Sequence, residues 1–204
     1  MADDLERALT RGPGGDADGA RLAAAVAGRG EREGLIDVAY AVDDTPIGPL
    51  LVAGTGRGLV MVAYMLDGIE ERLEVLARGI SPRVVEAPAR LDAVRRELDE
   101  YFDGTRRAFD VPIDWALVHG FAREVLRATA AIPYGGWSTY GEIAAAAGSP
   151  RGSRAAGNAL GSNPIPIVIP CHRVMRAGGA IGGYTGGIDR KRFLLGLEEA
   201  QLTL

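Results

Sequence analysis

Halfway along this 204-residue chain the spacing of the apolar residues changes, and that change limits the fold more than any other feature. Residues 36–42 alternate apolar and polar, as a half-buried strand does. A second run over 46–52 follows a turn at Asp43-Asp44, and a third over 58–65 closes at Asp67-Gly68. Residues 69–78 then have helical spacing, and Val84-Val85-Glu86 reads as a short strand. Leu91, Val94, Leu98, Tyr101 and Phe102 define a further helix, which Asp103-Gly104-Thr105 ends. The second half is mainly helical. Residues 121–131 are amphipathic and stop before Pro133-Tyr134-Gly135-Gly136. Thr139 followed by Glu142 forms a capping box, predicting a helix over 140–147. Gly148-Ser149-Pro150 is a turn, 153–160 a second helix, and 188–202 a closing helix with Phe193, Leu194 and Leu197 inward. Strands first and helices after predict an α+β chain. Its parts are a flexible extension (1–34), an α/β domain (35–115) and a helical domain with a helix-turn-helix (116–204).

Composition excludes several classes. No apolar stretch approaches 18 residues, so no membrane partner is expected. The acidic start, Met1-Ala2-Asp3-Asp4-Leu5-Glu6, lacks a secretory-signal layout. A lone cysteine forms no internal disulfide and suits a reducing compartment, the cytoplasm. One cysteine and two histidines fall short of the four ligands of a structural zinc site, so neither metal nor cofactor is expected. The net charge of −4 is divided unevenly. From His119 onward nine Arg/Lys stand against five Asp/Glu (+4), and before it fourteen against twenty-two (−8). A basic second half is consistent with a nucleic-acid face. Residues 1–34 carry few large apolar side chains and Gly12-Pro13-Gly14-Gly15 breaks them, which favours a passive tail.

The single cysteine lies in Ile169-Pro170-Cys171-His172-Arg173-Val174, after an apolar run. A thiol attacks as thiolate, which a neighbouring cation or proton acceptor favours; Arg173 and His172 supply one of each in sequence. Residues 164–174, then Gly183-Tyr184-Thr185-Gly186-Gly187, with Arg154-Ala155-Ala156-Gly157 and Asn163-Pro164 at fitting spacings, resemble the O6-alkylguanine-DNA alkyltransferases. The likeness runs without a gap from about Phe121 to Glu198 and reaches back more weakly to about Asp37.

The resemblance implies a ribonuclease-H-like first domain without ribonuclease chemistry. It also implies repair of double-stranded DNA by irreversible transfer of an alkyl group from O6-alkylguanine, and from O4-alkylthymine, to Cys171. The protein acts once, as a monomer. Such a base must leave the stack before a side chain reaches it. By the same resemblance Arg154 is the wedge that fills the vacated stack, while Ala155, Ala156 and Gly157 let the helix approach a minor groove. Tyr140 contacts the target phosphate and guanine N3. His172 takes the thiol proton through a water, Glu198 orients the imidazole, and Asn163 holds the turn into the active segment. Pro166, Val174, Tyr184 and Thr185 form the base pocket, with Thr185 standing where many relatives have serine.

Two rivals remain. A Cys-His hydrolase would use the same pair, but no nucleophile elbow accompanies it. A non-catalytic sensor of alkylated bases would dispense with the cysteine, which this chain keeps beside His172 and Glu198.

Overall fold

The structure, a computed structural model, describes residues 28–30, 33–66 and 68–199; most of the 1–34 extension lies outside them. Strands β1 (Val38–Asp43), β2 (Leu50–Thr55) and β3 (Gly58–Tyr64) form an antiparallel meander. A parallel return needs a crossover, which helix α1 (Glu70–Gly79) provides before β4 (Val84–Glu86) pairs with β1. The sheet order is β3-β2-β1-β4. The second strand starts later than the sequence predicts, at Leu50, and runs on to Thr55. Pro46 and Pro49 have no N–H for a ladder. A turn fills the space instead, closed by Gly48 N–H to the Thr45 carbonyl at 3.0 Å with φ of +97° at Gly48.

Both faces of the sheet are covered, which explains why Leu50-Leu51-Val52-Ala53 is continuously apolar rather than alternating. Val38, Leu51, Ala53 and Val60 pack with Leu76 of α1. The opposite residues, Ala39, Leu50, Val52 and Val62, join Leu91, Val94, Leu98 and Tyr101 in a core that continues into the helical half. The last three belong to helix α2 (Asp92–Phe102). The free edge of β3 is closed as well. Leu59 N–H donates to the Pro112 carbonyl and Val62 N–H to the Pro164 carbonyl, both at 2.8 Å.

The helical half comprises α3 (Gly120–Ala130), α4 (Tyr140–Ala146), α5 (Ser153–Gly161) and α6 (Ile188–Leu197). Two-residue strands β5 (Ser138–Thr139) and β6 (Val174–Met175) pair in parallel between them. The capping box is formed: Thr139 N–H reaches Glu142 Oε2 at 2.7 Å, and Glu142 N–H reaches Thr139 Oγ1 at 3.2 Å. Gly148, with φ of +84°, turns α4 into α5.

Helix α6 departs from expectation. It ends at Leu197, and Phe193 is 40% exposed rather than inward. Its buried stripe is Lys191, Leu194, Leu195 and then Glu198, an i, i+3, i+4, i+7 series. The register follows two polar anchors: Lys191 Nζ donates to the Val174 carbonyl at 2.6 Å, and Glu198 pairs with Arg173.

Candidate active site

The reactive segment is held by its own side chains. Asn163 Nδ2 donates to the Ile169 carbonyl at 2.9 Å and to Cys171 Sγ at 3.2 Å, while its Oδ1 accepts from Ile165 N–H at 3.0 Å. One asparagine thus closes the turn and touches the sulfur. Within the turn, buried Ile167 has φ of +75°. A β-branched residue there costs on the order of 1–3 kcal/mol, so the surrounding packing enforces the shape. Pro170 ends the apolar run, and Cys171–Arg173 make a single 3₁₀ turn.

Burial pushes the Cys171 thiol upward, against the Asn163 hydrogen bond and the Lys191 charge. The sulfur at rest is a neutral thiol. His172 is fully buried, with Nε2 2.8 Å from Glu198 Oε1; burial lowers its pKa, against the pull of Glu198. Its Nδ1 is buried and has no hydrogen-bond partner among the described residues. Glu198 accepts from Arg173 Nε at 2.7 Å, Arg173 Nη2 at 2.8 Å and the Tyr101 hydroxyl at 2.6 Å. Burial would raise its pKa, but bonds from His172 and Arg173, with their charges, hold it down to about 2.

Sequence reasoning misplaced one residue of this cluster and overlooked two. Arg173 does not serve the thiol: besides Glu198 it donates to the Ile132 carbonyl at 2.6 Å and stacks over the Tyr134 ring. The cation acting on the sulfur is Lys191, whose own pKa burial lowers to about 8. Tyr101 comes from α2, in the sheet half, and spacing marks it only as a core residue. The available signal was chemical, since a buried tyrosine hydroxyl requires a partner.

Cys171 lies on a cavity of about 900 Å3 lined also by Tyr140, Arg154, Gly157, Tyr184 and Thr185. Arg154, the second residue of α5, is exposed at its mouth. Tyr140 is half-buried and packs on Gly182, where a Cβ would come within 2.6 Å of the phenol oxygen and push the ring aside. Tyr184 shares a 2.6 Å hydroxyl–hydroxyl bond with Tyr64 of β3. The Thr185 hydroxyl donates to the Gly161 carbonyl at 2.8 Å, so its backbone rather than its side chain is free for a ligand. Three expected residues sit elsewhere. Ala156 is fully buried and packs the core, leaving Ala155 exposed and Gly157 half-exposed. Val174 is fully buried with its carbonyl engaged by Lys191, and buried Pro166 lies away from this cavity.

Two family models match. Residues 38–115 fit the ribonuclease-like domain of 6-O-methylguanine DNA methyltransferase, and residues 120–200 fit its DNA-binding domain. The chain belongs to the methylated-DNA–protein-cysteine methyltransferase family. It is 42% identical to the methylated-DNA–protein-cysteine methyltransferase of Methanosarcina acetivorans over 78% of this chain and 97% of that one. The Mycobacterium tuberculosis relative of the same name is 41% identical, over 79% and 93%. A crystal structure of the M. tuberculosis O6-methylguanine methyltransferase superposes with a TM-score of 0.68 at 40% identity, covering 79% of this chain and 93% of the other. The structure of M. tuberculosis OGT in complex with DNA gives 0.67 at 40% identity, covering 79% and 92%. The α+β architecture is that of this family: a sheet domain, then a helical domain that contains Cys171. No helix among the described residues is long and apolar enough to cross a membrane.

Proposed function

We propose that Cys171 is the acceptor in direct repair of O6-alkylguanine in double-stranded DNA. The observation that carries this is the position of the thiol, at the wall of a cavity under α5 and next in sequence to a buried His172–Glu198 pair. Helix α5 is the DNA-reading element, with exposed Arg154 filling the gap left by the extruded nucleotide. Tyr140 and Tyr184 flank the flipped base, and backbone N–H groups around Thr185 receive the developing charge on O6.

The buried His172–Glu198 hydrogen bond supports a route for the proton. The thiol is neutral at rest, so it must lose its proton as the sulfur attacks. His172 is neutral at rest and can take it, through a water at the unpartnered Nδ1. Glu198, anionic down to low pH, then stabilises the imidazolium from the Nε2 side. The product is a thioether, and no group at the site hydrolyses one. Each molecule therefore acts once; in this reading it does so as a monomer in the cytoplasm, where the thiol stays reduced.

Intact-mass analysis after incubation with a duplex carrying one O6-methylguanine tests this. A gain of one methylene on the peptide holding Cys171, at most once per molecule, supports the proposal. Tight lesion binding with unchanged mass would make the protein a sensor instead.

A further inference from the structure

Two charged side chains, Arg154 and Arg176, stand among the residues that line the cavity under α5, and both are cations. Arg154 belongs to α5, whereas Arg176 follows β6 directly. Ser138 pairs with Val174 and Thr139 with Met175 in parallel, so the next residues, Tyr140 and Arg176, leave the ladder at the same end. A tight turn then fixes the backbone: Arg176 N–H donates to the Ala180 carbonyl at 2.8 Å, and Gly179 N–H to the Arg176 carbonyl at 3.1 Å. The Arg176 side chain is exposed and makes no hydrogen bond or ion pair among the described residues. Its charge is still felt at the cavity wall. Burial and Cys171 raise the Tyr140 phenol, and the Arg176 guanidinium opposes that rise.

Extrusion of a nucleotide says what such a cation meets. The base enters the cavity, while its sugar and the two flanking phosphates stay at the mouth. Turning the nucleotide out carries those phosphates against the protein, where a fixed cation replaces the counter-ions they shed. Arg154 is engaged in the vacated stack, which leaves Arg176. The planar fork of an arginine donates two parallel hydrogen bonds to one phosphate. We propose that Arg176 grips a phosphate flanking the extruded nucleotide and so holds open the state that Arg154 fills from behind. The proposal rests on Cys171 being the acceptor and on α5 being the element that reads DNA. The contact forms only once the nucleotide has turned out, so it favours the flipped state over the stacked one. A free alkylguanine has no phosphate and is indifferent to it.

The test measures single-turnover transfer from a duplex carrying one O6-methylguanine, and reaction with free O6-benzylguanine, for the full chain, Arg176→Ala and Arg176→Lys. Arg176 is exposed, so neither variant disturbs the core. Arg176→Ala should slow duplex transfer about tenfold or more while reaction with the free base stays within about twofold, and Arg176→Lys should recover part of the duplex rate. Placing a neutral methylphosphonate at each flanking phosphate in turn separates this contact from the wedge. At one of the two positions it should slow the wild type about as far as Arg176→Ala does, and slow that variant no further. An alanine variant within about twofold of wild type on duplex would overturn the proposal. So would equal losses on duplex and free base, which would put Arg176 to work on the reacting groups. Neutral linkages that slow variant and wild type alike at both positions would overturn it as well. If the wild type transfers from neither substrate, the assignment of Cys171 fails instead.

Discussion

Replacing Glu198 with glutamine separates what the carboxylate does for the fold from what it does for the sulfur. Five donors converge on it: the Tyr101 hydroxyl, His172 Nε2, and Arg173 Nε and Nη2, all within 2.8 Å, and Gly135 N–H at 3.4 Å. An amide of the same shape offers one oxygen and an NH2 group. With its oxygen at the Oε1 position it can still serve Tyr101 and His172, but its NH2 then faces Arg173 Nε, donor against donor. The buried guanidinium loses its counter-ion, and breaking one partner of a buried pair costs about 3–5 kcal/mol. For a chain of this length that lowers Tm by roughly 6–20 °C. The imidazolium formed when His172 takes the thiol proton also loses its stabilising anion, so transfer should slow on the order of a thousandfold. Circular dichroism melting gives the first quantity. The second comes from single-turnover transfer with protein in excess, run well below the variant's Tm. The double variant Glu198→Gln/Arg173→Met removes the stranded charge and should recover most of the stability without the rate. A folded Glu198→Gln protein that transfers within about threefold of wild type would refute the relay. A double variant that regained rate along with stability would reduce Glu198 to a structural role.

Tyr101→Phe should cost about 1.5 kcal/mol, the low end for a bond to a charged group, because the carboxylate keeps four other donors; denaturant titration reads the loss. Transfer should change less than about threefold, since His172 retains Oε1. Arg154→Ala should slow transfer from duplex at least about tenfold yet leave reaction with free O6-benzylguanine unchanged; equal losses on both would refute a wedge. Because burial raises the Cys171 thiol, iodoacetamide should label the folded protein at pH 7 at least about tenfold more slowly than the unfolded chain, with the rate still climbing at pH 9. Stability should fall on acidification in two stages. His172 is depressed in the folded state, so the unfolded chain takes its proton first as pH drops below about 6.5. Glu198 is depressed from 4.5 to about 2, so its contribution, about 3 kcal/mol, is present above 4.5 and lost as pH falls through 2. A denaturation midpoint that is flat from pH 7 to 3 contradicts both.

The elements legible in the sequence were those whose pattern and packing agree. Three strands, the capping box at Thr139 and Glu142, and the helix pair around Gly148 all follow from local rules. The closing helix shows where such rules stop. A pattern reading puts Phe193 inward and gives no reason to bury Lys191, because lysine is almost never fully buried unless paired. Here it is paired: the ammonium holds the Val174 carbonyl, and seven residues on Glu198 anchors the same stripe to Arg173. The register of α6 is set by partners far away in sequence, which periodicity cannot see. The same holds for Ala156, where small size suits both a close approach to DNA and a packed core. The structure settles it in favour of the core.

The division of the chain into a sheet half and a reactive half understates how the site is built. Three of the hydrogen bonds from the sheet half to the reactive half bear on different parts of the site. Val62 N–H holds the Pro164 carbonyl, beside the asparagine that touches the sulfur. Tyr64 holds the hydroxyl of Tyr184 on the cavity wall, and Tyr101 holds the carboxylate behind His172. All three involve buried or half-buried polar groups, which are costly to leave unpaired. Separating the halves would therefore strand polar atoms at the turn, the pocket wall and the proton relay at once. A core of apolar contacts would tolerate small slippage between the halves, whereas hydrogen bonds of 2.6–2.8 Å would not. The sheet half, which contributes no nucleophile and no proton acceptor, thus fixes the geometry in which Cys171 works.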